Sequence, residues 1–254
     1  VNYANALADA KKQGFAEADP TKDVCGFDAA RKLAILSSIG FRANVTFDDV
    51  LVEGIEKIDK SDIQYAKDMG YTIKLLTVAL RQENGIALNV YPAFLPDNHP
   101  LSSVKGAYNA IYVTGNIVDD VMFYGRGAGA LPTASAVMGD VISTAQHILN
   151  GSTGTGMIMT DTKRIPFYSS LKLQNSYYFR LDVDDVTGVL SQIAAAFAEN
   201  DISICEVVQK RKTKGLAELV LITELACRES ILQVEKALQV LPCMRKVANV
   251  IRVM

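Results

Sequence analysis

The chain has 254 residues, of which 49% are hydrophobic and 21% charged, and its formal net charge is −2. This length suits one large domain or a larger and a smaller one, and the composition is ordinary for a globular protein. The near-neutral charge, without long Lys or Arg runs, gives no indication of nucleic acid or a membrane surface as a partner. Apolar runs fall short of the ~20 residues that span a bilayer, and we see no signal peptide.

The four cysteines are widely separated and form no C-x-x-C pair, and neither histidine lies near them in sequence. They are Cys25, Cys205, Cys227 and Cys243. We therefore expect no metal site and no disulfide framework, and we expect the reducing cytoplasm as the location.

The chain begins without methionine and apparently inside a helix. Ala4, Leu7 and Ala8 recur at helical spacing, so we expect a helix over 1–13 that ends at Gly14. Because a native start usually precedes a helix, we interpret the chain as a fragment of a longer polypeptide. A processed N terminus is the alternative.

The first part of the sequence combines helices with hairpin strands. The predicted helices are 28–39, 48–56, 61–69 and 133–149, and the predicted strands are 72–81, 86–95, 110–114 and 121–124. Ser61 and Gln64 have the spacing of a capping box, and Glu83-Asn84-Gly85 has the composition of a hairpin turn. We expect an α+β domain over 1–165, in which helices cover a mostly antiparallel sheet.

The second part has a different order of elements. After a polar linker over 163–176, the patterns run strand, helix, strand, strand, helix, strand. The segments are 177–183, 189–199, 202–210, 216–223, 229–241 and 247–253. This order predicts a ferredoxin-like βαββαβ domain over 176–254.

Asp28 and Lys32 are four residues apart on a predicted helix and so share one face. Upstream, Glu17, Asp19 and Asp23 add carboxylates in a connector near the start of that helix. Carboxylates stabilise a bound ammonium group, and a lysine beside a carbonyl oxygen supplies a proton when hydride adds to the carbon. The alternative is an exposed ion pair of roughly 0.3–0.5 kcal/mol, with Asp23 as a helix cap, and spacing alone favours it.

The segment Gly14–Leu33 as a whole, G-F-A-E-A-D-P-T-K-D-V-C-G-F-D-A-A-R-K-L, resembles the signature of the homoserine dehydrogenase family. The resemblance continues to about residue 151. It implies that Glu17 and Asp28 hold the substrate amino acid, that Lys32 is the acid/base, and that Asp23 lies in the same pocket and orients the lysine.

A second motif, Tyr124-Gly-Arg-Gly-Ala-Gly-Ala-Leu-Pro-Thr-Ala134, follows a predicted strand. By itself it is a weak dinucleotide motif without G-x-G-x-x-G spacing, and a tight strand-to-helix turn explains it equally well. The family resemblance implies that the loop faces the reactive end of NADP or NAD, with Gly129 and Gly127 as contacts. The rest of the cofactor would be bound by a domain absent from this chain.

The segments 182–190 and 200–203 resemble an ACT domain, and this resemblance covers 176–254. Such domains pair edge to edge and bind small amino acids at the joint. The resemblance implies an effector, L-threonine for this family, near the residues Asp185, Gly188, Ile202 and Ser203. The alternative is that Gly188 only permits a turn and that the domain only dimerises.

The resemblance implies interconversion of L-homoserine and L-aspartate 4-semialdehyde, in threonine and methionine biosynthesis. We expect a homodimer or higher oligomer formed through the first domain's sheet, because the apolar hairpin 72–95 needs covering on a second face. A non-catalytic amino-acid sensor and a reductase of another aldehyde are the alternatives. We expect the fragment alone to be inactive, since hydride transfer needs the absent nucleotide domain.

Overall fold

The computed structural model describes residues 3–12, 19–152, 165–213 and 215–254. The helices are α1 (Tyr3–Lys12), α2 (Thr21–Val24), α3 (Phe27–Phe41), α4 (Lys60–Asp68), α5 (Ala130–Leu149), α6 (Val189–Ala198) and α7 (Arg228–Gln239). The strands are β1 (Leu51–Val52), β2 (Tyr71–Gln82), β3 (Gly85–Pro96), β4 (Tyr108–Gly115), β5 (Asp119–Arg126), β6 (Gln174–Asp184), β7 (Ile204–Thr213), β8 (Leu216–Thr223), β9 (Ala226–Cys227) and β10 (Met244–Val253). None of the described helices is long and apolar enough to cross a membrane.

In the described parts of the chain, strands from both halves of the sequence join one eight-stranded sheet. Its main order is β1-β3-β10-β6-β8-β7, with β2 paired to β3 and β9 to β6, while β4 and β5 form a separate two-stranded sheet. Most pairs are antiparallel, but β3 pairs in parallel with β1 and with β10. The predicted fold class, a mostly antiparallel sheet covered by helices and followed by a ferredoxin-like unit, is confirmed.

The ferredoxin-like unit has the predicted order β6-α6-β7-β8-α7-β10. Helices α6 and α7 lie on one face of its sheet because every third or fourth residue of each is apolar and buried, including Ile193, Phe197 and Ile231. The Phe197 ring meets that of Phe179 on β6 edge to face, with 5.0 Å between the ring centroids. This apolar layer is the core of the second half of the chain.

The first half of the chain is built around β3, which is buried along almost its whole length. Helix α3 packs on it through Ala30 and Leu33, against Leu88 and Val90 of the strand. The buried positions of α3 fall at helical spacing, which is why this amphipathic segment forms a helix at the sheet.

Two local predictions in this half are wrong. The segment predicted as a helix over 48–56 forms a short 3-10 turn at Phe47–Asp49 and then strand β1, because β1 gains backbone hydrogen bonds at the edge of β3. The capping box of α4 is formed by Asp59 and Asp62 instead of Ser61 and Gln64, so the helix begins one residue earlier than predicted.

A buried charge network joins α4 to the ferredoxin-like unit. Arg180 on β6 is 5% exposed, and its Nε donates to Oδ1 of Asp62, which is fully buried, at 2.8 Å. Its Nη1 donates to Glu218 on β8 at 3.3 Å, and Asn249 on β10 donates to Asp62 at 2.8 Å. Burial would lower the pKa of Arg180, but the surrounding carboxylates raise it above its ordinary value, so the arginine stays charged.

Replacing Arg180 with methionine should destabilise the protein by about 3–5 kcal/mol, because Asp62 and Glu218 would stay buried without their positive partner. Urea unfolding would measure this change in the free energy of unfolding. Arg245→Met is the matched control, since Arg245 also pairs with a carboxylate, that of Asp184, but is exposed to water. Equal destabilisation by the two substitutions would contradict the assignment.

Candidate active site

The turn between α2 and α3 fixes the start of the candidate site. Gly26 has φ +78°, a left-handed conformation that favours glycine. A Cβ at this position would lie 3.1 Å from Cγ1 of Val90 and 3.3 Å from Cγ1 of Val52. The glycine therefore lets the turn lie close against β1 and β3, with α3 starting directly after it.

Asp28 and Lys32 form the predicted pair on the first turns of α3. Oδ2 of Asp28 lies 2.6 Å from Nζ of Lys32, and the two side chains are 49% and 69% exposed. The pair is accessible from solvent. The exposed ion pair that we considered as the alternative has the same geometry, so this contact does not separate the two interpretations.

Asp23 distinguishes the two interpretations better. Its Oδ2 atom is buried and has no hydrogen-bond partner among the described residues. The alternative role of helix cap is not observed for Asp23, because it lies inside α2 and the residue that precedes α3 is Gly26, which makes no side-chain cap hydrogen bond. A buried carboxylate oxygen without a donor is unfavourable unless something else supplies one, so Asp23 is suited to accept a hydrogen bond from a bound cation.

The other predicted acids have different positions. Glu17 lies outside the described residues. Asp19 accepts hydrogen bonds from the hydroxyl and backbone N–H of Thr21, at 2.6 and 3.1 Å, and these bonds lower the pKa of its carboxyl. Asp19 is thus occupied in organising the start of α2.

A segment that sequence analysis did not connect with the site lies directly against it. The backbone N–H of Ile55 donates to the carbonyl of Val24 at 2.9 Å. Glu56 is hydrogen-bonded to the thiol of Cys25, and this bond raises the pKa of the thiol. No local pattern could have shown this, because the contact joins residues about 30 positions apart.

The glycine loop ahead of α5 is separate from these acids. Gly129 has φ +121° and begins α5 without a side-chain cap hydrogen bond. At Gly127 a Cβ would collide with the side chain of Asn109 on β4, so the loop is tight. The loop continues the hairpin β4–β5, and the structure shows no hydrogen bond between Gly127 or Gly129 and the α3 pair in the described residues.

The four predicted effector residues do not come together within one chain. Asp185 donates its N–H to the carbonyl of Gly215, just before β8, whereas the carbonyl of Ser203 accepts from Glu224, just after β8. The two ends of this eight-residue strand are roughly 25 Å apart. Gly188 belongs to the Asp185 end and Ile202 to the Ser203 end.

No group of three or more His, Cys, Asp or Glu side chains in the described ranges is arranged to hold a metal ion.

The described residues therefore combine two features. An α+β domain carries a candidate site of acids and a lysine, and a ferredoxin-like unit shares its sheet. The family model for homoserine dehydrogenase matches residues 1–142, and the model for the ACT domain matches residues 177–243. The chain belongs to the homoserine dehydrogenase family and carries an ACT domain.

Named relatives agree with both matches. The homoserine dehydrogenase of Mycobacterium tuberculosis H37Rv is 42% identical over 262 residues, which cover 99% of this chain and 59% of that protein. That of Bacillus subtilis 168 is 41% identical over 224 residues, or 87% of this chain and 51% of that protein. The chain thus spans between half and three fifths of the length of these relatives.

Solved structures give the same result. The homoserine dehydrogenase from Thiobacillus denitrificans matches all of this chain and 59% of its own, with a TM-score of 0.91 and 33% identity. The Staphylococcus aureus enzyme at pH 7.5 matches all of this chain and 59% of its own, with a TM-score of 0.70 and 29% identity.

Proposed function

We propose that this chain supplies the substrate site and the regulatory domain of an enzyme that interconverts L-homoserine and L-aspartate 4-semialdehyde. The observation that carries the proposal is the buried Oδ2 of Asp23, which has no donor among the described residues and is close in sequence to the solvent-accessible pair of Asp28 and Lys32. The names of the relatives support the same reaction.

The acids would bind the substrate's amino group. An ammonium group has three N–H donors and seeks negatively charged acceptors. Oδ2 of Asp23 is one such acceptor, and Asp28 offers a second carboxylate on the adjoining helix. Glu17 is proposed as a third ligand from its place in the family motif.

Lys32 would accept the proton from the substrate oxygen, or donate it in the reverse direction. When the alcohol is oxidised, its oxygen loses a proton as C4 loses a hydride, and in the reverse direction the carbonyl oxygen gains one. Asp28 lies 2.6 Å from the Lys32 ammonium and would hold it in place. NAD or NADP, when bound, supplies the hydride chemistry.

The glycine loop fits a contact with one end of such a cofactor. In the part of the chain that the structure describes, the N-cap of α5 makes no side-chain hydrogen bond, and a Cβ at Gly129 would approach Pro132 alone. We propose Gly127 and Gly129 as this contact. The loop has neither the spacing nor the βαβ setting that would hold the rest of a dinucleotide, so most of the cofactor would be bound elsewhere in the full-length enzyme.

In the full-length enzyme, Lys32→Ala should lower kcat by about 10²–10⁴-fold, the usual contribution of a positioned proton donor. Asp23→Asn should instead raise KM for homoserine roughly 10–100-fold, through loss of a charged hydrogen bond. Steady-state absorbance of the reduced nicotinamide measures both constants. Lys67→Ala, at an exposed position of α4, is the control and should leave both unchanged. A near-normal kcat for Lys32→Ala would exclude its proposed role.

For the ACT domain we propose an amino-acid effector, with L-threonine as the candidate, bound between two copies. Strand β7 is an edge of the sheet in the described residues. Antiparallel pairing of two such edges places the Ser203 end of one copy at the same end of the joined sheet as the Asp185 end of its partner. In this arrangement one binding site would be formed by Ser203 of one copy and Asp185 of its partner, which lie far apart within a single chain.

Calorimetry should detect threonine binding to the protein and its loss in Gly188→Val. Among the described residues, a Cβ at Gly188 meets no atom within 4 Å, so a side chain there would enter the space left for the ligand at the start of α6. Gly70→Val is the control, because Gly70 has a similar positive φ (+80° against +87°) and open surroundings but follows α4. Equal loss of binding in both variants would mean that strain, and not the site, is responsible.

We also propose a homodimer, but through a different surface from the hairpin 72–95. That hairpin's strand β3 is already buried within the chain. Helix α5, in contrast, has no buried residue, and apolar side chains such as Met138, Val141 and Ile142 are each more than half exposed. An exposed apolar helix of this length is typical of an interface.

Sedimentation at micromolar concentration should show a dimer, and Met138→Glu should weaken it, because a charge would be buried at the α5 interface. Ser143→Glu is the control, because it introduces the same charge on α5. By helical geometry position 143 lies roughly 140° around the helix axis from Met138, so the dimer should persist. A monomeric parent protein would refute the proposal.

A further inference from the structure

The last strand of the ACT domain occupies the same edge of β3 as β1. β1 pairs in parallel with β3 at Asn89 and Val90, and β10 pairs in parallel with it at Ala93 and Phe94. The N–H of Met254 continues this ladder by donating to the carbonyl of Phe94 at 2.9 Å. The chain that leaves β1 therefore meets the end of β10.

Glu53, the residue directly after β1, is held by Arg252 of β10. Two guanidinium nitrogens of Arg252 donate to the two carboxylate oxygens of Glu53, at 2.8 and 2.9 Å. Arg252 is 5% exposed, and its guanidinium carbon lies 4.1 Å from the centroid of the Tyr91 ring. Burial would raise the pKa of Glu53, but the bonds from Arg252 lower it overall, so the pair stays ionised.

The residues after Glu53 contact the backbone of the α2–α3 turn, which lies between the acids of the candidate site. A Cβ on Gly54 would lie 2.5 Å from the carbonyl oxygen of Val24 and 2.7 Å from Cα of Cys25, so the two backbones are in direct contact. The N–H of Ile55 donates to the same Val24 carbonyl. A movement of Glu53 would therefore move the α2–α3 turn.

The α2–α3 turn determines the positions of Asp23 and Asp28, the two described acids of the candidate site. Asp23 comes directly before Val24, and Asp28 is the second residue of α3, just after Gly26. A Cβ at Gly26 would lie 3.1 Å from Val90 and 3.3 Å from Val52, the residues on which β1 and β3 pair, so the turn lies close against both strands. The backbone that Glu53 and Gly54 support thus leads directly to the substrate acids.

We propose that Glu53 and Arg252 are positioning residues for the substrate site, through which the last strand of the ACT domain sets the place of the α2–α3 turn. Neither residue is proposed to touch the substrate. The effect on substrate affinity rests on the function proposed above, whereas the mechanical link between β10 and the turn does not.

The first test follows backbone protection in the full-length polypeptide by hydrogen exchange. In Arg252→Met the amides of Glu53 and Ile55 should lose protection, because Glu53 would no longer be anchored. Arg245→Met is the matched control: this arginine lies on the same strand and pairs through two nitrogens with Asp184, but at the far end of β10. Unchanged protection in Arg252→Met, or equal loss in the control, would overturn the link.

The second test uses kinetics with homoserine. Arg252→Met and Glu53→Gln should each raise KM roughly 2- to 30-fold, with a smaller change in kcat. The double variant should be no worse than Arg252→Met alone, because both changes break one interaction. If Arg252→Met does not fold, Arg252→Lys keeps the charge without the paired contact and should raise KM in the same direction. KM values equal to those of Arg245→Met would overturn the positioning role.

The two tests separate the two proposals. Loss of protection in variants of a protein that does not oxidise homoserine would support the link and reject the proposed reaction. Normal oxidation of homoserine with unchanged protection and KM in the variants would support the reaction and reject the link.

Discussion

Two strands that are distant in sequence, β1 and β10, pair with the same edge of strand β3. The relative position of the α+β domain and the ferredoxin-like unit depends on this shared pairing. β1 takes this edge at Asn89 and Val90, and β10 takes it at Ala93 and Phe94. Because β3 is buried, its backbone N–H and carbonyl groups need partners on both sides. This requirement fixes where β10 ends, and it places that end beside the residues that lead to the candidate site.

Two buried arginines make the position of the ACT sheet specific. Arg180 is tied to Asp62 of α4, and Arg252 is tied to Glu53 after β1, so each bridges the two halves of the sequence. A buried ion pair contributes little net stability compared with apolar packing, but breaking one leaves a charge in an apolar setting at high cost. A shifted sheet would break both pairs, so few other arrangements are accessible.

The candidate site is predictable to the extent that it is local. Asp28 and Lys32 are one helical turn apart, so their spacing alone places them on one face, and the structure shows them in contact. The oxygen of Asp23 that has no partner among the described residues and the backbone contact of Gly54 are not visible in sequence. The first depends on burial, and the second joins residues about 30 positions apart.

The amino-acid sequence by itself determined the types of most elements, the order of the ferredoxin-like unit and the acid–lysine motif. These features depend on periodicity and short-range spacing, which each segment carries within itself. It did not determine that 48–56 would hold a strand, or that four predicted effector residues would lie at two ends of β8. Those outcomes were decided by the tertiary structure, because strand pairing and the distances between elements depend on which buried backbone groups find partners far along the chain.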